Sequence, residues 1–408
     1  MKKQYRNRYC RCLASTIALS IMATALPMTA LAAPKNKPDE RTYQPPEISA
    51  PDYNKDLSPE FAYTQDKWAA LRDNVMEYGE LADLIHEYNP TVRSNRSMYK
   101  DQKGKNLNDV YQDYMDDIDL IWDQVSAADD DISEATLRFT AGSLTKQADN
   151  NYQDADMEKI QYDQQEAQLV SQAQQLMVSL QQAGYNLETL QNTRDLLQKQ
   201  YEAVVAQRAA GMATEANVLT ALKSVQDQDA AILSAETTRD NVHRNLCLML
   251  GWGADSQPEI REVPLPDLSR IDAMNPAEDS KKALENNYDV KYYQKKDGNL
   301  TSQDLKDSNR ATLENAKDTV VRSLRTQYNA VLVARDQLNA ANMKLQVQET
   351  ELAKAQAGMA VGQMTALEYT AAENSCSSAR SDVKTKELEL LLAIEAYDWI
   401  VKGLTASN

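Results

Sequence analysis

The residues able to do chemistry are few and scattered. Only two histidines occur in 408 residues, His86 and His243. They fall on different predicted helices with no Cys/His cluster beside either, so neither zinc-ligand spacing nor a general-base constellation is present. Of the four cysteines, Cys10 and Cys12 sit in the first dozen residues, which leaves Cys247 and Cys376 further on. Two thiols exclude a disulfide framework. Redox sensing is one reading of them; two small buried helix residues is the simpler one. The acidic set Asp116, Asp117, Asp119, Asp123, Asp129, Asp130 and Asp131 has carboxylates enough for calcium but lacks the glycine that a calcium loop needs at its turn. It reads better as a solvated helix face or a helix start. The glycines never cluster into a phosphate loop. Tyr397 and Trp399 read as packing anchors rather than ligand stackers. No catalytic residue, cofactor site or metal site is predicted, and the chain does not read as an enzyme.

The stretch 1–32 has the parts of a secretory signal peptide. Lys2, Lys3, Arg6, Arg8 and Arg11 give a basic start, Leu13 to Leu31 an apolar run, and Ala30-Leu31-Ala32 a small-residue end with cleavage expected after Ala32. A retained membrane anchor is the competing reading, disfavoured by the Ser and Thr within the run and by Pro27 near its end. No cysteine stands directly after the cleavage site, so a lipid anchor is not indicated. Losing those five basic residues leaves 39 Lys and Arg against 61 acidic residues, a formal charge of −22. Such a surface repels nucleic acid and anionic headgroups, and neither is an expected partner. An exported protein of the cell envelope or the exterior is the resulting expectation.

The elements that must carry this chain are long helices. Six of the twelve prolines lie between residues 33 and 60; none occurs between Pro90 and Pro258, and none after Pro276. Proline inside a helix costs about 3 kcal/mol, so the two proline-free blocks favour uninterrupted helices. Leu324, Val331, Leu338, Leu345 and Leu352 recur every seven residues, as do Leu169, Leu176, Ala183, Leu190, Leu197 and Val204. A heptad of this kind is a coiled-coil seam. Only two Phe in the chain also argue against a wide globular core. The fold expected is all-α, two tandem repeats of long antiparallel coiled-coil helices with little or no β. The divisions are 1–32 signal, 33–60 Pro-rich lead-in, 61–251 first repeat, 252–276 Pro-rich linker and 277–408 second repeat.

One offset links the two blocks. Gly211, Thr214, Asn217 and Val218 match Gly362, Thr365, Glu368 and Tyr369 at a constant shift along the chain. Glycine closes a helix in the left-handed conformation, and threonine three residues later can cap the next one. Glu368 suits a capping box well and Asn217 less well. The pattern therefore predicts a helix stop followed at once by a restart, a tight αα-hairpin tip near 211–217 and another near 358–368, the latter including Gly358.

These tips, the Leu246, Leu250 and Gly251 close, and the openings Leu81 to Pro90 and Ala283 to Val290 resemble the TolC-like outer-membrane efflux family across most of residues 68–405. The resemblance implies a trimeric helical tube. It also implies that Gly211, Thr214, Asn217, Gly358, Gly362, Thr365 and Glu368 dock an adaptor (membrane fusion) protein serving an inner-membrane transporter. Members of that family also carry two membrane β-strands per repeat. In the second repeat here, the stretch from Asn287 to Gly362 is too short for them once a helix from Ser302 to Ala357 is placed. In the first repeat, Val110 to Thr140 lacks the alternation of lipid-facing strands. The expectation is a TolC-like conduit without a barrel and without direct membrane insertion. A structural coiled-coil scaffold of the envelope is the alternative.

Overall fold

A computed structural model describes residues 63–127 and 130–405. The expected signal peptide and lead-in, residues 1–32 and 33–60, lie outside these, as does Asp129 of the acidic set. The described residues form twelve α-helices: α1 Gln65–Ala70, α2 Leu81–Tyr88, α3 Pro90–Gln102, α4 Leu107–Ser126, α5 Asp131–Asn150, α6 Ala155–Ala209, α7 Glu215–Met249, α8 Leu268–Asp272, α9 Pro276–Asn286, α10 Tyr288–Asn299, α11 Gln303–Ala360 and α12 Ala366–Lys402. The only strands among them are β1 Val75–Met76 and β2 Glu259–Ile260, a two-residue parallel pair. No helix among the described residues is long and apolar enough to cross a membrane.

Local chemistry starts these helices. The side chain of Asp154 accepts from Met157 N–H at the head of α6, and Asn287 accepts from Val290 N–H at the head of α10. The α6 ladder runs unbroken for 55 residues, and that of α11, which starts after Ser302, for 58, about 80–90 Å each.

The long helices lie in the order α7, α6, α12, α11. Each packs along its neighbour, and no comparable contact joins α7 to α11 among the described residues. They make an open array rather than a closed bundle. Asn192 Nδ2 donates to Ser377 Oγ at 2.9 Å and Trp399 Nε1 to Gln174 Oε1 at 2.7 Å, joining α6 to α12. Trp399 and the fully buried Tyr397, which donates to Asp279 at 2.7 Å, are anchors as expected.

Position in the array decides which heptad residues are covered. On α11, at an edge, Leu324, Val331 and Leu338 of the expected row are buried. On α6, in the middle, every member of the expected row is only half-buried; Ala167, Val170, Ala173, Met177, Val178 and Leu187 are buried there instead, with Ala155 and Met157 at the helix head. A helix flanked on two sides needs a wider apolar face than a two-stranded seam supplies.

Each repeat is closed on itself by the same device. Buried Asn89 caps α3 and donates Nδ2 to Met249 O at 2.9 Å, at the end of α7. Buried Asn287 donates to Gly403 O at 2.9 Å and Thr405 Oγ1 at 2.8 Å, just past α12. The chain is so close there that a Cβ on Gly251 would lie 2.7 Å from Tyr88 Cβ, and one on Gly403 2.5 Å from Asn286 O.

Candidate docking tips and open edges

Both tips are built as their sequence pattern requires. After α6, Gly211 takes φ +73°, Met212 N donates to Gln207 O at 2.8 Å and Gly211 N to Arg208 O at 2.9 Å. After α11, Gly362 takes φ +74°, Gln363 N donates to Gly358 O at 2.8 Å and Gly362 N to Met359 O at 3.1 Å. These paired bonds are the Schellman closure, in which only glycine takes the left-handed position without strain. Gly358 supplies the accepting carbonyl, and a Cβ on it would sit 3.3 Å from Met364 Cβ.

The restart follows three residues on. Asn217 N donates to Thr214 Oγ1 at 3.3 Å, and Thr214 N returns a bond to Asn217 Oδ1 at 2.9 Å. Glu368 N donates to Thr365 Oγ1 at 3.2 Å, and Thr365 N to Glu368 Oε2 at 2.8 Å. Asn217 therefore closes its box as fully as Glu368, because a short amide reaches the same N–H. The Thr365 N–H and hydroxyl, both donating to it, hold the Glu368 carboxyl below its usual range.

The seven residues fall into two groups, Gly211, Thr214 and Asn217 on one tip and Gly358, Gly362, Thr365 and Glu368 on the other. Lys199 Nζ donates to Thr370 Oγ1 at 3.2 Å. Lys199 precedes Gly211, and Thr370 follows Gly362, by only a few helical turns, so both tips point to the same end of the array. The tips are not identical. Arg208 pairs with Glu215 at 2.5 Å across the first, whereas Met359 and Ala366 occupy those places in the second. Met212 and Val361, 74% and 68% exposed, cap the two turns with apolar surface. Sequence reasoning passed over these four side chains, although each stands within three residues of a tip glycine or threonine.

It also passed over the array's edges. On α7, Leu219 and Leu233 are exposed, and on α11 so are Val333, Met343 and Val347. Each edge repeats at fourteen residues, a second apolar row beside the seam, and that spacing was the available signal.

Residues with candidate chemistry are dispersed. Cys247 Sγ lies 3.8 Å from His243 Nε2, because helix periodicity brings i and i+4 together, which makes a pair and not a cluster. Cys247 and Cys376 are free and buried, and burial pushes the Cys247 thiol up to about 11. No group of three His, Cys, Asp or Glu side chains able to hold a metal occurs among the described residues. The described members of the acidic set divide between α4 and the head of α5, where Asp130 caps Ile132 and Ser133 N–H at 3.0 and 2.8 Å.

No protein-family model and no curated protein matches the chain. Among solved structures it resembles a membrane protein from Pseudomonas aeruginosa, with a TM-score of 0.53 at 13% identity over 79% of this chain and 92% of that one. It resembles VceC, an outer membrane protein of Vibrio cholerae, with a TM-score of 0.51 at 12% identity over 80% and 96%. The outer-membrane channel OprN gives 0.51 at 11% identity over 92% and 97%. The chain has the TolC-like fold. Within that fold, the two places where the family resemblance calls for membrane strands are filled differently. Between α3 and α6 stands the helical hairpin α4–α5; between α10 and α11 there are only the residues 300–302.

Proposed function

We propose that this chain is the protomer of an envelope conduit, several copies closing into a tube of long helices whose tips dock an adaptor protein of an inner-membrane transporter. The pair of apolar edges carries the reading. Leu233 follows Gly211 by as many positions as Ala340, midway between Val333 and Val347, precedes Gly362. At a helical rise of about 1.5 Å per residue both lie about 33 Å from their tips, so α7 of one copy meets α11 of the next at matching height. An edge-to-edge contact of two different surfaces is heterologous and closes by rotation into a ring. The resemblance implies three copies. VceC and OprN, outer-membrane proteins of the same fold, support the assignment to transport. In this reading the copies reach the envelope through the signal peptide and insert no barrel of their own.

Light scattering on residues 33–408 purified without detergent tests it. A soluble trimer is expected, and Leu233→Asp with Val347→Asp is expected to reduce it to monomer. A wild-type monomer would remove the conduit and leave an envelope scaffold; insolubility without detergent would mean that membrane strands were misread. Docking is tested separately by Thr365→Arg with Glu368→Lys. Loss of secretion or drug tolerance with the trimer intact is the expected result; unchanged export would sink docking through this tip.

A further inference from the structure

Away from the tips, the last turn of α2 holds a histidine between two carboxylates. His86 Nδ1 lies 2.7 Å from Glu166 Oε1 on α6, and His86 Nε2 lies 3.9 Å from Glu87 Oε1 on its own helix. Nε2 and Glu87 Oε1 are both buried without a hydrogen-bond partner, and the Glu87 side chain is 8% exposed. Two buried polar atoms that face each other unpaired call for a proton between them. The same helix contributes Leu81, Leu84 and Ile85 to the core shared with Val170, Ala173 and Met177 of α6, so this polar contact stands beside the apolar one that seats α2.

We propose that His86, Glu87 and Glu166 form a proton-operated latch between α2 and α6, closed while the Glu87 carboxyl is protonated and weakened when that proton leaves. In the closed state Nδ1–H donates to the Glu166 carboxylate. The Glu87 proton then lies toward Nε2, the acceptor nitrogen in this tautomer, 3.9 Å from Glu87 Oε1. Once it is lost, a buried carboxylate faces Glu166 and, on the same helix, Asp83, with Arg72 after α1 and Arg93 on α3 as opposing charges. Around the latch, Arg96 of α3 donates to the His86 carbonyl, and Tyr63 and Tyr288 of α10 face Glu166.

Geometry and charge agree on the direction. Burial pushes the Glu87 carboxyl up to about 8 in the docked state, against 4.5 when free. The docked form is thus the one that binds the proton. Docking is strongest below the free value and weakens as pH rises towards 8, since removing the proton favours the detached helix.

Hydrogen exchange of residues 81–88 in the full-length protein, corrected for intrinsic rates, measures this opening. Between pH 6 and pH 9 opening is expected to increase about tenfold or more, while the peptide covering 388–394 of α12 keeps its protection. Glu87→Gln, which mimics the protonated carboxyl, is expected to hold the change below about threefold. Circular dichroism at both pH values establishes that the variant is folded. If it is not, Glu87→Asp serves in its place and is expected to keep the rise. Protection of 81–88 that ignores pH in the wild type, or an undiminished rise in folded Glu87→Gln, overturns the latch.

Discussion

The two repeats are alike at their tips and unlike at their far ends. Each tip is a Schellman closure followed by a capping box, and the φ angles of the two glycines differ by one degree. At the other end, the first repeat places α4–α5 between its short and long helices, where the second has three residues. The short link suffices because α11 is seated by other means, Asn309 Nδ2 donating to Tyr293 O at 2.9 Å. The head of α6 is held by the opposite repeat, through Lys295 to Asp156 at 2.7 Å and Asn299 to Asp154 at 2.9 Å. The long helices therefore do not need the inserted hairpin. That hairpin packs mainly on itself through Ile118, Val125, Ala141 and Ala148, and it leaves Ile132 and Phe139 about four-fifths exposed.

The comparison can be broken most strongly at the repeat closures. Asn287→Ala removes a helix cap and two side-chain bonds, one of them fully buried, and is expected to cost about 3 kcal/mol. Asn89→Ala, with one bond fewer to the closing helix, is expected to cost about 2 kcal/mol. Urea unfolding of both variants measures the difference, and a larger loss at Asn89 would contradict the asymmetry. The tips should respond equally. Gly211→Ala and Gly362→Ala each force a side chain into the left-handed region, at about 1 kcal/mol apiece. Unequal losses would show that the Arg208–Glu215 pair compensates at one tip. The smallest effect belongs to the insert. Ala155 N lies 3.4 Å from Lys105 O, so its ends already meet. Replacing residues 107–150 by a short Gly-Ser linker should leave exchange protection of α11 and α12 within about 1 kcal/mol of wild type. A collapse of that protection would make the hairpin part of the scaffold.

What could be read from residue order was what local physics decides. A glycine that ends a helix and a threonine that starts the next act within six residues of each other, so both turns were legible, while the box at Asn217 closes more fully than its residue type suggested. Proline-free length and seven-residue spacing made the long helices legible for the same reason. Three features required the tertiary structure. The buried row of α6 depends on its having neighbours on two sides, which periodicity in a single helix does not encode. The helical insert could be read only as a lack of strand alternation, because Ile118 and Val125 find their cover on a helix that starts after Asp130. The contact of His86 with Glu166 joins residues 80 positions apart. Sequence by itself determined where helices stop, turn and restart, because those bonds close between near neighbours. Only the packed chain decided which helix is central, which edges stay open and which charges are buried together, because burial is a property of surfaces that meet from distant parts of the chain.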